Sequence, residues 1–258
     1  MTAGIETAVE GRIGTITLNR PEVLHALDDE MLREMRDVLS RWDVDSTVDV
    51  VILTGAGDRA FAAGADIEEL SAKDSVELAA RSGMQEFMAW LESYPAITIA
   101  AVNGYAFGGG FELAMSCDIR IASEKAKLGL PELGLGIIPG ATGTQRLTAL
   151  AGASAAMFHV LTGATMTAAR AYELGVVSEV TAPEEVRPRA RQLAEGLLSK
   201  GPTALRLAKV AIRAATPQSE NGRLVEKLAQ AVLFGTAERT EGMSAFLEKR
   251  SPRFNGEA

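Results

Sequence analysis

The sequence is poor in the residues from which several kinds of site are built. Its 258 residues include one cysteine, two histidines, two tryptophans and three tyrosines. A single cysteine excludes an internal disulfide, and neither His25 nor His159 has a cysteine or second histidine at metal-ligand spacing. We therefore expect neither a disulfide scaffold nor a metal centre, and we expect Cys117 to be a buried structural thiol.

Long apolar runs and an excess of positive charge are also missing. No segment approaches the roughly eighteen uninterrupted apolar residues of a membrane-spanning helix, and the first residues, MTAGIETAVEGR, lack the pattern of a signal peptide. A net charge of −8 leaves no basic surplus for nucleic-acid phosphates. These absences predict a cytoplasmic protein whose partners include neither a membrane nor a nucleic acid, while a small anionic ligand would need only a few local amides and lysines.

The residues that are present follow a strand-and-helix pattern. Strands are predicted on both sides of Glu10-Gly11, with Val9, Ile13, Ile16 and Leu18 as the apolar positions, and at Val50–Leu53, Ile97–Val102 and Ile119–Ala122. Helices are predicted at 28–42, around 75–93 and, from about residue 144, through nearly all of the remaining chain, including one with Val186, Ala190, Leu193 and Leu197 on one face. This alternation indicates an α/β fold.

A stripe of alanines near the C-terminus also has helical spacing. It consists of Ala204, Ala208, Ala211 and Ala215, and it follows Pro202, which suits the first turn of a helix. Side chains this small predict close packing of the helix, against the rest of the chain or against another subunit.

The stretch AFGGGFEL at 106–113 places three glycines directly before an apolar helical segment. Glycine in a helix costs about 1 kcal/mol relative to alanine, so the bare backbone needs a reason. A dinucleotide site or P-loop is disfavoured, because GxGxxG would require glycine where Leu113 stands and the Lys-Ser/Thr pair is absent. Two alternatives remain: a close backbone crossing, or free N–H groups at a helix start that form an oxyanion hole.

A second loop and two carboxylates extend this hypothesis. The small residues of FAAGAD at 61–66 are a candidate for a second oxyanion donor, although Asp66 is also suited to cap a helix. Glu112 falls in the first turn of the predicted helix, where it either complements the helix dipole or acts on a ligand. Glu132 lies in an apolar loop, LPELGLGIIPG, where the pKa of a carboxyl group rises and suits acid–base chemistry.

Four segments, in chain order, carry a family resemblance. They are NRPEVLHALD, FAAGADIEEL, AVNGYAFGGGFELAMSCDIRIASEKAKLGLPELGLGIIPGATGTQRL and EGMSAFLEKRSPRF. Together they resemble the enoyl-CoA hydratase/isomerase (crotonase) superfamily over almost the full length. The resemblance implies an α/β spiral of repeated β-β-α units with the active site in residues 1–200, and a helical C-terminal trimerisation region in residues 201–258. Homotrimers or homohexamers would follow.

The resemblance also implies roles for individual residues. The backbone N–H groups of Ala65 and Gly109 would form the oxyanion hole for the thioester carbonyl of an acyl-CoA. Glu112 and Glu132, 20 positions apart (132 minus 112), match the two catalytic carboxylates of the hydratases. The residues that the resemblance places along the acyl-CoA are Ala63, Ala65, Asp66, Ile67, Glu68, Gly109, Phe246 and Lys249, the last of which has the alternative of being a solvated surface charge.

The reaction implied by the resemblance is reversible syn addition of water to a trans-2-enoyl-CoA, giving a 3-hydroxyacyl-CoA through a stabilised enolate, with β-oxidation as the default pathway. It needs no cofactor, because CoA is part of the substrate. The presence of both glutamates favours a hydratase over an enoyl-CoA isomerase, a specialised-pathway lyase or a non-catalytic, RNA-associated member. Phe111, Thr142 and Gly134-Leu135 depart from the commonest family pattern, which leaves the acyl-chain preference open.

Overall fold

The expected alternation of strand and helix is present in the computed structural model, which describes residues 4–73, 83–200, 202–215, 231 and 234–250. The strands are β1 (Ile5–Glu10), β2 (Ile13–Leu18), β3 (Val50–Gly55), β4 (Ala60–Ala62), β5 (Ile97–Val102), β6 (Tyr105–Phe107), β7 (Ile119–Ser123), β8 (Lys127–Gly129), β9 (Met166–Thr167) and β10 (Glu179–Thr181). The helices are α1 (Asp29–Val44), α2 (Ile67–Ala72), α3 (Gly83–Ser93), α4 (Gly109–Ser116), α5 (Gly143–Thr162), α6 (Ala168–Glu173), α7 (Val186–Leu198), α8 (Pro202–Ala215) and α9 (Ala237–Leu247), with short 3-10 helices at Pro21–Val23, Glu132–Leu135 and Pro183–Glu185.

The strands form two sheets. The larger has the order β1-β2-β3-β5-β7-β10, and the smaller has the order β4-β6-β8-β9. In the larger sheet only the β1–β2 pair is antiparallel, and in the smaller sheet only the β8–β9 pair is. Strands that follow each other in the chain alternate between the sheets: the first member of each of the pairs β3–β4, β5–β6 and β7–β8 lies in the larger sheet, and the second lies in the smaller sheet. This arrangement is the spiral of β-β-α units that the resemblance implied.

The central strands β3 and β5 of the larger sheet are buried throughout and mostly apolar because helices cover both of their faces. On one face, Ile52 and Ile99 pack with Val186 and Ala190 of α7. On the other face, Leu53 belongs to the main core, to which α1, α3 and α4 also contribute. Outer strands differ: Val9, one of the expected apolar positions, is 46% exposed on β1, which lies at the sheet edge and is exposed at every position after Ile5.

Most of the local predictions are confirmed. The helix expected at 28–42 is α1, with the Asp28 side chain capping its start by accepting from the Met31 N–H at 2.7 Å. The helix expected around 75–93 is described from Gly83 onward, and 74–82 lie outside the described residues. Cys117 is buried as expected, and burial raises the pKa of its thiol to about 12.

The expectation of helix almost throughout from residue 144 is wrong at two places. β9 and β10 interrupt the helices, and each is at the edge of its sheet and only two or three residues long. Segments this short are below the length at which a period-two pattern can be distinguished from a helical one. Within the described chain, no helix combines the length and apolar character needed to cross a membrane.

Helix α9 packs against the 3-10 helix Glu132–Leu135 and against α2, the segments that follow β8 and β4. A Cβ atom placed on Gly242 of α9 would lie 2.3 Å from Leu135 O, so glycine permits close packing on the 3-10 helix there. Arg239, also near the start of α9, donates to Leu70 O at 3.0 Å and to Ser71 O at 2.8 Å, which satisfies the last carbonyl groups of α2. α9 therefore supports two of the segments around the site described below.

The alanine stripe is described only in part. α8 begins at Pro202, as predicted, and Ala208 is exposed on it. The side chains of Ala204, Ala211 and Ala215 lie outside the described residues. The division of the chain at residue 200 stays a prediction.

Candidate active site

Three neighbouring parallel strands end next to the predicted functional groups. Ala65 follows β4, Gly109 and Glu112 follow β6, and Glu132 follows β8. The carboxyl ends of parallel strands meet at one edge of a sheet, which is the usual position of ligand sites in α/β proteins. A pocket of about 170 Å³ opens at this edge, and all four residues line it. The fold thus brings together groups from three successive turns of the spiral.

The loop that carries Ala65 is fixed by a short parallel pairing with Leu27. The Leu27 N–H donates to Gly64 O at 2.7 Å, and Leu27 O accepts from the Asp66 N–H at 2.8 Å. This pairing uses the carbonyl before Ala65 and the amide after it. The N–H of Ala65 itself points to the opposite side of the loop, and among the described residues it donates to no acceptor.

Gly109 supplies a second free N–H group beside the first. It is the first residue of α4, where backbone amides have no acceptor within the helix. A Cβ atom placed on Gly109 would lie 3.3 Å from Ala65 N, so the two amides are neighbours. An oxygen between them would accept from both N–H groups, which is the arrangement of an oxyanion hole.

The two adjacent glycines serve different purposes. A Cβ atom on Gly110 would lie 2.1 Å from Ala62 O, so Gly110 is required for α4 to cross β4 closely. Gly108, with φ 49° and ψ −128°, supplies the left-handed backbone that turns the chain into α4. The close backbone crossing that the sequence left open is therefore present at Gly110, and the oxyanion donor at Gly109 stays a prediction.

Glu112 is 2% exposed and is held by backbone amides. Its Oε1 atom accepts from the Ala141 N–H at 2.8 Å and from the Gly143 N–H at 2.7 Å. Burial raises the pKa of Glu112, and these two amides and the charge of Arg146 oppose that rise. A carboxyl group whose pKa lies above its usual range is suited to exchange protons near neutral pH.

Glu132 approaches the pocket from another direction. It begins the 3-10 helix Glu132–Leu135, directly after Pro131. A Cβ atom placed on Gly108 would lie 3.3 Å from Glu132 Oε1, so this carboxyl group lies against the start of α4. The Glu132 carboxylate is therefore close to Gly109, the predicted oxyanion donor, whereas the Glu112 carboxylate is anchored on the 141–143 loop.

Arg146 is a supporting residue that the sequence did not reveal. Its Nη1 donates to Ala141 O at 2.6 Å, and its Nε donates to Glu92 Oε1 at 2.8 Å. The guanidinium group thereby holds Ala141 by its carbonyl group, while the N–H of the same residue binds Glu112. The TQRL segment that contains Arg146 was part of the family resemblance, but only the folded chain shows which loop it orders.

The residues expected along the acyl-CoA divide into two groups. Ala63, Asp66, Ile67 and Phe246 line the same pocket as the catalytic candidates, and Phe246 is 55% exposed. Glu68 and Lys249 are exposed and lie outside that lining. The capping role considered for Asp66 is confirmed, since its side chain accepts from the Glu68 N–H at 3.1 Å.

An apolar part of the pocket was not predicted. Leu70, Met84, Leu135 and Ile138 line it together with the functional residues. These side chains give the site a wall suited to a hydrocarbon group. Their signal in the sequence was limited to apolar positions close to the recognised motifs, which does not distinguish pocket walls from core.

Comparisons with known proteins identify relatives along nearly the whole chain. The family model described as Enoyl-CoA hydratase/isomerase matches residues 8–257. A crotonyl-CoA hydratase of Syntrophomonas wolfei is 41% identical over 249 residues, which cover 95% of either chain. A short-chain-enoyl-CoA hydratase of Clostridium acetobutylicum is 41% identical over 244 residues, with 93% of either chain covered.

Solved structures agree as well. The crystal structure of an enoyl-CoA hydratase from Bacillus anthracis is 39% identical with a TM-score of 0.79, and covers 98% of this chain and 100% of that one. A carnitinyl-CoA hydratase from Mycobacterium avium is 31% identical with a TM-score of 0.88 and full coverage of both chains. Because the family model matches nearly the whole length of this chain, the chain belongs to the enoyl-CoA hydratase/isomerase family.

Proposed function

We propose that the protein is an enoyl-CoA hydratase, which adds water reversibly and on one face to a trans-2-enoyl-CoA and forms a 3-hydroxyacyl-CoA. The observation that supports this most strongly is the convergence of two free backbone amides and two carboxylates in one pocket. The names of the Syntrophomonas and Clostridium relatives point to the same reaction. An acyl-CoA thioester is accordingly the substrate class.

The amides act on the thioester. Its carbonyl oxygen accepts hydrogen bonds from the N–H groups of Ala65 and Gly109, which withdraw electrons from the conjugated double bond. As the water oxygen bonds to C3, negative charge moves onto the thioester oxygen, and the two donors stabilise the enolate that results. Losing one such donor costs roughly 2.7–4 kcal/mol of activation free energy.

The carboxylates move the protons. Glu112, whose anionic form is bound by two backbone amides, accepts a proton from the attacking water. Glu132, next to the oxyanion donors, delivers a proton to C2 as the enolate collapses. The hydroxyl group thus bonds to C3 and a hydrogen to C2, and the two carboxyl groups exchange their protonation states before the next turnover.

The remaining assignments belong to the same proposal. CoA lies along Ala63, Asp66, Ile67 and Phe246, with Glu68 and Lys249 reaching it from outside the pocket lining. No cofactor takes part, because the chemistry requires only proton transfer and charge stabilisation. A homotrimer or homohexamer in the cytoplasm is the proposed state of the protein.

The test is the loss of the conjugated enoyl-thioester absorbance when the purified protein meets crotonyl-CoA, with the product mass checked for one added water. Glu112→Gln and Glu132→Gln should each be nearly silent while still folded. Glu124→Gln, on an exposed glutamate outside the pocket, is the matched control and should retain full activity. Inactivity towards crotonyl-CoA and longer enoyl-CoAs, together with a product of unchanged mass from a 3-enoyl-CoA, would replace hydration by isomerisation.

A further inference from the structure

His25 lies in the NRPEVLHALD segment, outside the lining of the pocket, and is 2% exposed. The backbone N–H of Arg20 donates to its Nδ1 at 3.0 Å, and its Nε2 lies 3.0 Å from Ala56 O. Because Nδ1 accepts, the ring proton of a neutral imidazole must be on Nε2, from which it is donated to Ala56 O. The neutral ring therefore joins the turn at 20–25 to the loop between β3 and β4.

This turn has an uncommon backbone that the ring helps to hold. Leu24 and His25 both have positive φ values, 52° and 60°, which side chains other than glycine, asparagine and aspartate rarely adopt. The His25 N–H also donates to Arg20 O at 2.8 Å and closes the turn. His25 thus bonds to the turn through its backbone and to the rest of the protein through its side chain.

The same turn is the frame of the Ala65 loop. Leu24 O accepts from the Ala63 N–H at 3.0 Å, just before the parallel pairing of Leu27 with residues 64 and 66. Arg20 adds two further links, since its guanidinium group donates to Ala26 O at 2.9 Å and to Asp66 Oδ2 at 3.1 Å. Residues 20–27 therefore bind the Ala65 loop both before and after the proposed oxyanion donor.

We propose that His25 is a positioning residue for the oxyanion hole: its neutral ring fixes the 20–27 turn, that turn directs the Ala65 N–H into the pocket, and protonation of the ring releases it. This inference rests on the proposed function, because it assigns a catalytic purpose to Ala65. It adds a residue far from the reacting atoms to the machinery of the site.

Protonation disrupts the turn for a simple reason. A proton on Nδ1 would point at the Arg20 N–H, so two donors would face each other and one hydrogen bond would be lost. Burial lowers the pKa of His25, while the Ala56 carbonyl and the charge of Glu22 oppose this. On the loop side, Arg187 of α7 donates to the carbonyl groups on either side of Ala56, and Asp58 and Arg59 follow in the same loop. On the turn side, the Arg20 guanidinium group donates to Ala26 O.

The direction of the pH effect follows from the lowered pKa. The folded state binds the neutral ring, so the stabilisation is complete above the ordinary histidine pKa of 6.5. It decreases as the pH falls from that value towards the lower pKa of the folded protein, because the unfolded chain takes up the proton first. Activity should therefore decrease on the acid side together with the order of the turn.

The experiment compares His25→Ala, His25→Asn and the matched control His159→Asn, which changes the other buried histidine, outside the pocket lining. Asparagine tolerates positive φ and offers one acceptor and one donor, but does not titrate. We expect His25→Ala to lower kcat about ten-fold with KM little changed, less than the 10²–10³ of losing an oxyanion donor outright. His25→Asn should recover most of kcat and remove the His25 contribution to the acid limb of the pH–rate profile.

Two measurements separate this inference from the proposed function. Nitrogen NMR of the two imidazoles, assigned with His159→Asn, should show His25 neutral with its proton on Nε2 at neutral pH. Hydrogen exchange at the Asp66 amide should accelerate in His25→Ala but not in His159→Asn. If the wild type does not hydrate enoyl-CoA, the proposed function fails and these two readouts still decide whether His25 holds the loop. Wild-type kcat and exchange in His25→Ala would overturn the inference.

Discussion

Replacing Gly109 by alanine should abolish most of the activity without unfolding the protein. The new Cβ atom would lie 3.3 Å from Ala65 N, and roughly 2.5 Å from its own nitrogen by covalent geometry. An oxygen bound by both amides needs about 2.7–3.1 Å from each nitrogen. The methyl group would therefore occupy the space of the thioester oxygen, and kcat should decrease by about 10²–10³, or roughly 2.7–4 kcal/mol of barrier.

The free energy of unfolding should change little in the same variant. The closest atom that the methyl group would meet is the Met84 Sδ, at 2.8 Å, near the end of a flexible side chain that is able to move. Exchanging glycine for alanine in a helix raises the free energy of unfolding by up to about 1 kcal/mol, which offsets the cost of moving Met84. Gly110→Ala gives the contrast, because its Cβ would lie 2.1 Å from the backbone oxygen of Ala62, and this variant should fail to fold.

The assay is crotonyl-CoA turnover beside urea unfolding, with Gly109→Ala/Met84→Ala as the decisive control. Removing the Met84 side chain relieves the contact with sulfur but leaves the methyl group between the amides. The double variant should therefore stay inactive. Recovery of turnover in the double variant would show that displaced Met84, and not a blocked amide, caused the loss; wild-type kcat in Gly109→Ala would refute the oxyanion role altogether.

Three further expectations concern buried polar groups. Because burial raises the pKa of Glu112, the folded state loses stability as the pH rises through that pKa. Thermal unfolding should therefore show that Glu112→Gln is more stable than the wild type at neutral pH, with a smaller difference near pH 5. Asn103→Ala removes four hydrogen bonds of 3.1 Å to backbone groups. At about 1 kcal/mol each, urea unfolding should show that the free energy of unfolding decreases by roughly 3–4 kcal/mol. A decrease under about 1 kcal/mol would mean that these bonds contribute little. Arg146→Met leaves buried Glu92 without its main partner and should cost about 3–5 kcal/mol, most of which Arg146→Met/Glu92→Met should restore if the ion pair is the cause.

The sequence predicted the helix starts, caps and buried strands that depend on residues close together in the chain. Glycines followed by an apolar segment placed Glu112 in the first turn of a helix, and the cap at Asp66 followed from its position before α2. The buried strands were recognisable because both faces of β3 and β5 are covered, which makes most of their positions apolar, with Thr54 and Thr98 as buried polar exceptions. Local patterns of this kind need no knowledge of the rest of the chain.

What the sequence left open depends on contacts between distant segments. The need for glycine at Gly110 comes from β4, about 48 residues earlier in the chain, whose backbone α4 crosses closely. The pairing of Leu27 with the Ala65 loop and the bond from Arg146 to Ala141 were likewise visible only in the folded protein. His25 was visible only as one of two histidines and as part of the NRPEVLHALD segment, because its proposed role comes from the two backbone groups that its ring joins.

The placement of each functional group after a different strand has a consequence for how such a protein diversifies. The proposed oxyanion donors follow β4 and β6, whereas Glu132 follows β8, on a separate turn of the spiral. In the proposed mechanism, a substitution or insertion after β8 would alter proton transfer while the amides proposed to stabilise the enolate stay in place. Mutations in one turn of the spiral would then change the reaction, while the neighbouring turns would still stabilise the same enolate intermediate.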